Sequence, residues 1–118
     1  MKKWFGLVTG VAILVAASCS KSGDDNNGGG NNNVDCNTIS TSFSTNVAPL
    51  IASSCAKSGC HATAGNGPGA LTTYAQISAA KVQIRQAVAS GNMPKDATLN
   101  ATQKATITCW IDAGAPNN

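Results

Sequence analysis

The sequence predicts an all-α domain of three to four helices, and three observations carry that expectation. Apolar side chains recur at helical spacing in three separate stretches: Phe43, Val47, Leu50 and Ile51; then Tyr74, Ile77, Ile84 and Val88; then Ile107, Trp110 and Ile111. Cap and stop residues fall between these stretches, where helices begin and end. No run alternates apolar and polar residues with the period of two that a half-buried strand shows.

The helices are confined to the second part of the chain. Residues 1–18 read as a leader: Met1-Lys2-Lys3 is positively charged, the apolar run Leu7 to Ala17 is short for a bilayer span, and Ala16-Ala17-Ser18 are small. Small residues directly abutting Cys19, followed by Ser20, Lys21 and Ser22, resemble the lipobox of bacterial lipoproteins, in which the cysteine becomes the lipidated N-terminus. The alternative is an ordinary secretory signal cut near Ser18, which leaves Cys19 as a reactive exposed thiol. From Ser20 to Asn33 only Lys, Ser, Gly, Asp and Asn occur, too polar to order. Residues 19–33 therefore read as a lipidated cysteine and a flexible tether with a mean reach of about 20 Å. Ser22-Gly23-Asp24-Asp25 also resembles the acidic signals that send some lipoproteins to the cell surface, although a solvated spacer has the same composition.

Residues 34–118 form the one expected domain. In its first helix Pro49 is tolerable only near the start, where a missing N–H removes no hydrogen bond. Ala62 to Gly69, with three glycines and Pro68, reads as an irregular loop. Thr72 or Thr73 can cap a segment in which Tyr74, Ile77, Lys81, Ile84 and Val88 lie three to four apart, as one helix or as two broken near Ala79-Ala80. Gly91 ends it. For the last helix Asn100 is the N-cap, Gln103 completes a capping box, Leu99 supplies an apolar staple, and Gly114 and Pro116 stop the run.

The first helix leads into Cys55-Ala56-Lys57-Ser58-Gly59-Cys60-His61. Two thiols with a histidine immediately after the second form the arrangement used for c-type haem attachment, in which the thiols bond the vinyl groups and the histidine reaches the iron. The attachment motif normally has two residues between its cysteines, whereas four stand here. The longer loop leaves Cys60 and His61 adjacent, and Gly59 can supply the positive φ that bends it back. A Cys55–Cys60 disulfide with His61 next to it is the simpler alternative. Met1 departs with the leader, so Met93, in Gly91-Asn92-Met93-Pro94, is the only methionine of the domain, as His61 is its only histidine. A thioether on a turn held by proline suits the second axial position of such a haem, while a flexible gap-filling role is the alternative.

Cysteine number fits the same reading. Of the five cysteines, Cys19 goes to lipid and Cys55 and Cys60 to haem, which leaves Cys36 and Cys109 to pair in an oxidising compartment. Without haem the four domain cysteines allow three connectivities. A domain this small, with Phe43, Tyr74 and Trp110 as its only aromatic residues, is the kind that a disulfide or cofactor commonly stabilises. Charge argues for neither nucleic acid nor a broad acidic partner: eight basic residues less Lys2 and Lys3 leave six against five acidic ones, a net +1.

The order of these features, Phe43-x-x-x-Val47-x-Pro49-Leu50-Ile51, then Cys55 to His61, Leu71-Thr72-Thr73-Tyr74, Gly91-Asn92-Met93-Pro94 and Trp110-Ile111-Asp112-Ala113-Gly114-Ala115-Pro116, resembles small monohaem cytochrome c domains of exported bacterial proteins. The resemblance spans essentially all of residues 34–118. It implies a cytochrome c-like fold of three to four helices around one covalent haem c, with the Pro-Leu helix packed on the C-terminal Trp-Ile helix. It also implies thioether attachment at Cys55 and Cys60, His61 as proximal ligand and Met93 as distal ligand. The four-residue spacing departs from the family's usual motif.

The expected function is then a membrane-tethered carrier of single electrons, not an enzyme, because iron with both axial positions filled offers substrate no open site. It would be a monomer, anchored through Cys19 to the outer membrane on its periplasmic side or at the cell surface, and would exchange electrons with redox partners of the envelope. Arg85 is a candidate partner for a haem propionate, a solvated helix face being the alternative, and Trp110 and Tyr74 are candidate pocket walls. Three other readings follow from the same residues. If Met93 is not a ligand, the open position suits a gas sensor or a peroxidase-like enzyme. Cys55, Cys60, His61 and one of Cys36 or Cys109 make a zinc donor set. A haem-free, disulfide-stapled lipoprotein would serve adhesion or assembly. No carboxylate pair, triad or phosphate loop supports an enzymatic reading; Gly65-Asn66-Gly67-Pro68-Gly69 lacks the flanking strand a nucleotide loop needs.

Overall fold

Helix starts in this domain are set by side chains that can accept from free backbone N–H groups. The computed structural model of the chain describes residues 34–118, so the expected leader over 1–18, the Cys19 anchor and the tether over 19–33 lie outside the described residues. Asp35 accepts from the Asn37 N–H at 2.9 Å and opens a single 3₁₀ turn, Cys36–Thr38. A wide π-type turn, Phe43–Val47, runs directly into helix α1, Ala48–Ser54, with Pro49 in its first turn. The wide turn suits the proline: Ala48 bonds back to Phe43, and Val47 to Ser42 at 3.1 Å, so the preceding turn is built on five-residue spacing.

Helix α2, Tyr74–Ala79, is capped by Thr73, with Gln76 returning the bond, so Thr73 rather than Thr72 is the cap. Helix α3, Lys81–Ser90, follows after Ala80, whose φ of −92° and ψ of 5° interrupt the α-helical path. The segment is therefore two helices; alanine favours helix, so local propensity does not account for the break. Gly91, at φ 76°, ends α3 in the left-handed conformation. Helix α4, Ala101–Asp112, carries the expected Asn100–Gln103 capping box. Among the described residues the structure is entirely helical and irregular, with no strand. No helix among them is long and apolar enough to cross a membrane.

The core lies where α3 and the Phe43–Val47 turn meet α4. Val47, Ile51, Ile107 and Trp110 are fully buried, with Ile77, Ile84 and Val88 joining from α2 and α3. The expected contact between the first and last helices is made through Phe43, whose ring centroid lies 5.5 Å from that of Trp110 and 5.0 Å, edge on, from that of Tyr74. Trp110 Nε1 donates to the Pro116 carbonyl at 2.9 Å, and the Tyr74 hydroxyl to the Ala115 carbonyl at 2.9 Å. Farther along, Asn118 accepts from the Phe43 and Ser44 N–H groups at 2.7 and 2.8 Å, satisfying free donors of the first helical turn. Cys36 and Cys109 form a disulfide with Cα atoms 5.5 Å apart, tying the first residues of the domain to α4.

Candidate cofactor site

Helix α1 delivers the cysteine motif. Its last turn closes on Cys55, whose N–H bonds to the Ile51 carbonyl at 2.8 Å, and the chain then folds back on itself. The Cys60 N–H reaches the Lys57 carbonyl at 3.0 Å and the His61 N–H reaches the Cys55 carbonyl at 3.0 Å. The four residues between the cysteines thus form a closed loop whose two ends are joined by backbone. Gly59 turns it at φ 79° with open space around the site of a Cβ, so conformation and not crowding calls for glycine there.

His61 is 93% buried in effect, with only 7% of its surface exposed, and is the only buried polar or charged residue described. Its Nδ1 lies 2.9 Å from the Gly69 carbonyl oxygen. A carbonyl only accepts, so Nδ1 carries a hydrogen and donates, and in the neutral ring Nε2 keeps its lone pair. Metal-binding histidines are commonly oriented in this way, the second ring nitrogen held by a carbonyl. The glycine-rich loop is fastened around the ring: the Leu71 N–H bonds to the His61 carbonyl at 2.8 Å, and the Asn66 side-chain amide donates to the Gly59 and Cys60 carbonyls at 3.1 and 3.0 Å. Met93 enters from the turn after α3, its N–H bonded to the Ala87 carbonyl at 3.2 Å.

Two cavities meet at these residues. One, of about 310 Å³, runs between Cys55, Gly59, Cys60 and His61 on one side and Met93, Pro94, Lys95 and Asp96 on the other. The second, of about 290 Å³, is walled mainly by apolar side chains, including Ile51, Leu71, Ile84 and Val88. Cys55, His61 and Met93 line both. Each is near the lower bound of cofactor and ligand pockets, about 300–1,000 Å³.

The thiols of Cys55 and Cys60 are both free, so the short disulfide staple is not formed. Burial pushes the Cys55 thiol above its ordinary range, with nearby Lys57 only partly offsetting it. A thiol held protonated is poorly suited to be a catalytic nucleophile, although it sits beside a histidine. The zinc donor set loses its third thiolate, because Cys36 and Cys109 are bonded to each other. No group of three His, Cys, Asp or Glu side chains placed to hold a metal ion occurs among the described residues.

The sequence-predicted residues thus divide into two groups. Cys55, Cys60, His61 and Met93 are brought to one site, and Cys36 is paired with Cys109. Three other expectations are corrected. Arg85 makes a two-pronged ion pair with Asp112, at 2.6 and 3.0 Å, and lines neither cavity, so it is engaged across α3 and α4 instead of facing a propionate. Trp110 and Tyr74 do not wall the site; both pack with Phe43 and are bonded to the chain after α4.

The sequence reading missed the Gly69 carbonyl and the Asn66 amide, since a carbonyl has no residue-type signature and the loop announced only irregular structure. It also missed the ion pair between Lys57 and Asp96, 3.0 Å long, which joins the cysteine loop to the chain after Met93. Comparison with known proteins gives no match to a protein-family model, a curated protein or a solved structure.

Proposed function

We propose that the domain is a c-type cytochrome that carries single electrons. One observation supports this above the others: the domain's single histidine and single methionine, far apart in sequence, line the same pair of cavities as Cys55. The donor set suits haem chemistry, with two free thiols for attachment and an imidazole and a thioether for the iron. On this reading Cys55 and Cys60 would hold the group as thioethers, each S–H adding across a vinyl double bond, and His61 Nε2 and Met93 Sδ would ligate its iron. A bound haem supplies a reversible one-electron couple, and the thioether raises its potential relative to a second histidine.

The chain's own groups do the rest. The Gly69 carbonyl holds the His61 ring by accepting from Nδ1–H and increases electron donation from Nε2. Ile51, Leu71, Ile84 and Val88 keep water from one side of the site, which lowers the local dielectric. Met93 would be the second protein ligand, which would leave substrates no access to iron and favour outer-sphere electron exchange. With the Cys19 anchor and tether, the carrier would work at the outer membrane among envelope redox partners, as a monomer without affinity for nucleic acid.

The experiment is the intact mass of the denatured chain, expressed in a host with c-type haem attachment machinery. The expected result is the polypeptide plus one haem that survives unfolding, reduced to a single linkage in Cys55→Ala or Cys60→Ala and absent from the double variant. A chain from that host that lacks the added mass of a haem would refute the proposal.

A further inference from the structure

We propose that Lys57 and Asp96 form a latch that holds Met93 in the site, Lys57 and Asp96 being positioning residues. The consequence for iron ligation rests on the electron-carrier reading; the latch itself does not. Lys57 sits in the four-residue gap between Cys55 and Cys60, and Asp96 lies three residues beyond Met93. Their Nζ and Oδ2 atoms are 3.0 Å apart. Cys55, Gly59 and Cys60 form one side of the first cavity and Met93 to Asp96 the other, so the pair joins its two sides.

The chain after Met93 has little else to hold it there. Among the described residues, this is the one hydrogen bond between residues 55–61 and residues 91–100. From residue 94 to residue 99 the main chain makes no backbone hydrogen bond. The segment is pinned at its start by the Met93 N–H on Ala87 and by buried Pro94, and at its end by buried Leu99 before the α4 cap. Between these points the Asp96 side chain supplies the described polar tie. A segment so sparsely bonded opens locally at low cost, and its position responds to single contacts. The lengthened cysteine spacing thereby acquires a role: the gap carries the cation that reaches across to the methionine loop.

Amide hydrogen exchange and ligand binding test the latch together. In Asp96→Asn, exchange at the Met93 amide, which is bonded to the Ala87 carbonyl, is expected to rise about two- to fivefold over wild type once corrected for intrinsic rates, in line with an exposed ion pair. Binding of imidazole to the oxidised haem protein, which must displace Met93, is expected to strengthen by a similar factor. Lys57→Gln should behave alike, the double charge swap Lys57→Asp/Asp96→Lys should restore wild-type values, and 1 M salt should bring wild type toward the variants. Unchanged exchange at the Met93 amide, acceleration spread evenly over the domain, or a swap that fails to restore would each overturn the latch. Exchange reads the latch with or without haem, so a colourless protein would refute the carrier reading and leave the latch to be judged on exchange alone.

Discussion

The two ends of α1 belong to regions built on opposite principles. At its start, Phe43, Tyr74 and Trp110 are in ring-to-ring contact, the phenol and indole donors are bonded to the chain after α4, and Asn118 caps the first turn. At its end, Cys55, His61 and Met93 surround open space, two thiols are unpaired, and loops without regular structure supply most of the walls. The first region is closed by its own side chains. The second is a shape held by backbone bonds to His61 and the Cys55–Cys60 loop. The difference separates stability from function: the packed end supports the fold, and the open end is free to take a group the chain does not itself contain.

Substitutions should respect that division, and the largest effect belongs to the packed end. Trp110→Ala removes a fully buried indole and is expected to cost about 3–5 kcal/mol in urea unfolding, enough to unfold much of so small a domain. Replacing Cys36 and Cys109 by serine releases a cross-link spanning a sequence separation of 73, worth about 4 kcal/mol on the chain-entropy model. The visible spectrum of the haem-loaded protein should survive that change, since neither cysteine lines the site. A spectrum altered as much as the stability would break the comparison.

At the open end the order reverses. Met93→Ala should cost under about 2 kcal/mol of stability, because the side chain is only half-buried. On the proposed haem reading it should nonetheless lower the reduction potential by on the order of 0.1 V and open the iron to added ligands. Cys55 sharpens the contrast through pH. Its thiol is pushed up by burial, so the folded state favours the protonated form. That contribution is complete below the ordinary thiol range and is lost as pH rises through it, because the unfolded chain then ionises first. Chain made without haem attachment should therefore lose stability in alkali, and Cys55→Ala should flatten the dependence. The smallest effect is expected at the surface: Asp112→Asn breaks a half-exposed pair with Arg85 and should cost at most about 1 kcal/mol in the same unfolding assay.

What the sequence disclosed follows the same line. Caps and periodicity are local, so Asn100 with Gln103, Gly91 after α3, and the buried face of α4 were legible. The motif was legible too, because Cys55, Cys60 and His61 are neighbours and Met93 has no competitor in the domain. Tertiary choices were not. Arg85 had several possible partners, and only packing α3 against α4 selects Asp112. Nothing local tells whether Trp110 and Tyr74 wall the site or the core; the chain after α4 offers carbonyls to both polar groups and holds them in the core. The Gly69 carbonyl that orients His61 has no side-chain signature, so only the fold could reveal it.

The measurement that bears most directly on the open site is the visible and near-infrared spectrum of the mature protein, purified from a host with c-type haem attachment machinery, before and after reduction. The account predicts a sharp reduced α-band and, in the oxidised form, the weak near-infrared band of a sulfur-to-iron bond, which Met93→Ala abolishes. A colourless protein, or a haem protein whose near-infrared region is the same in wild type and Met93→Ala, would contradict it.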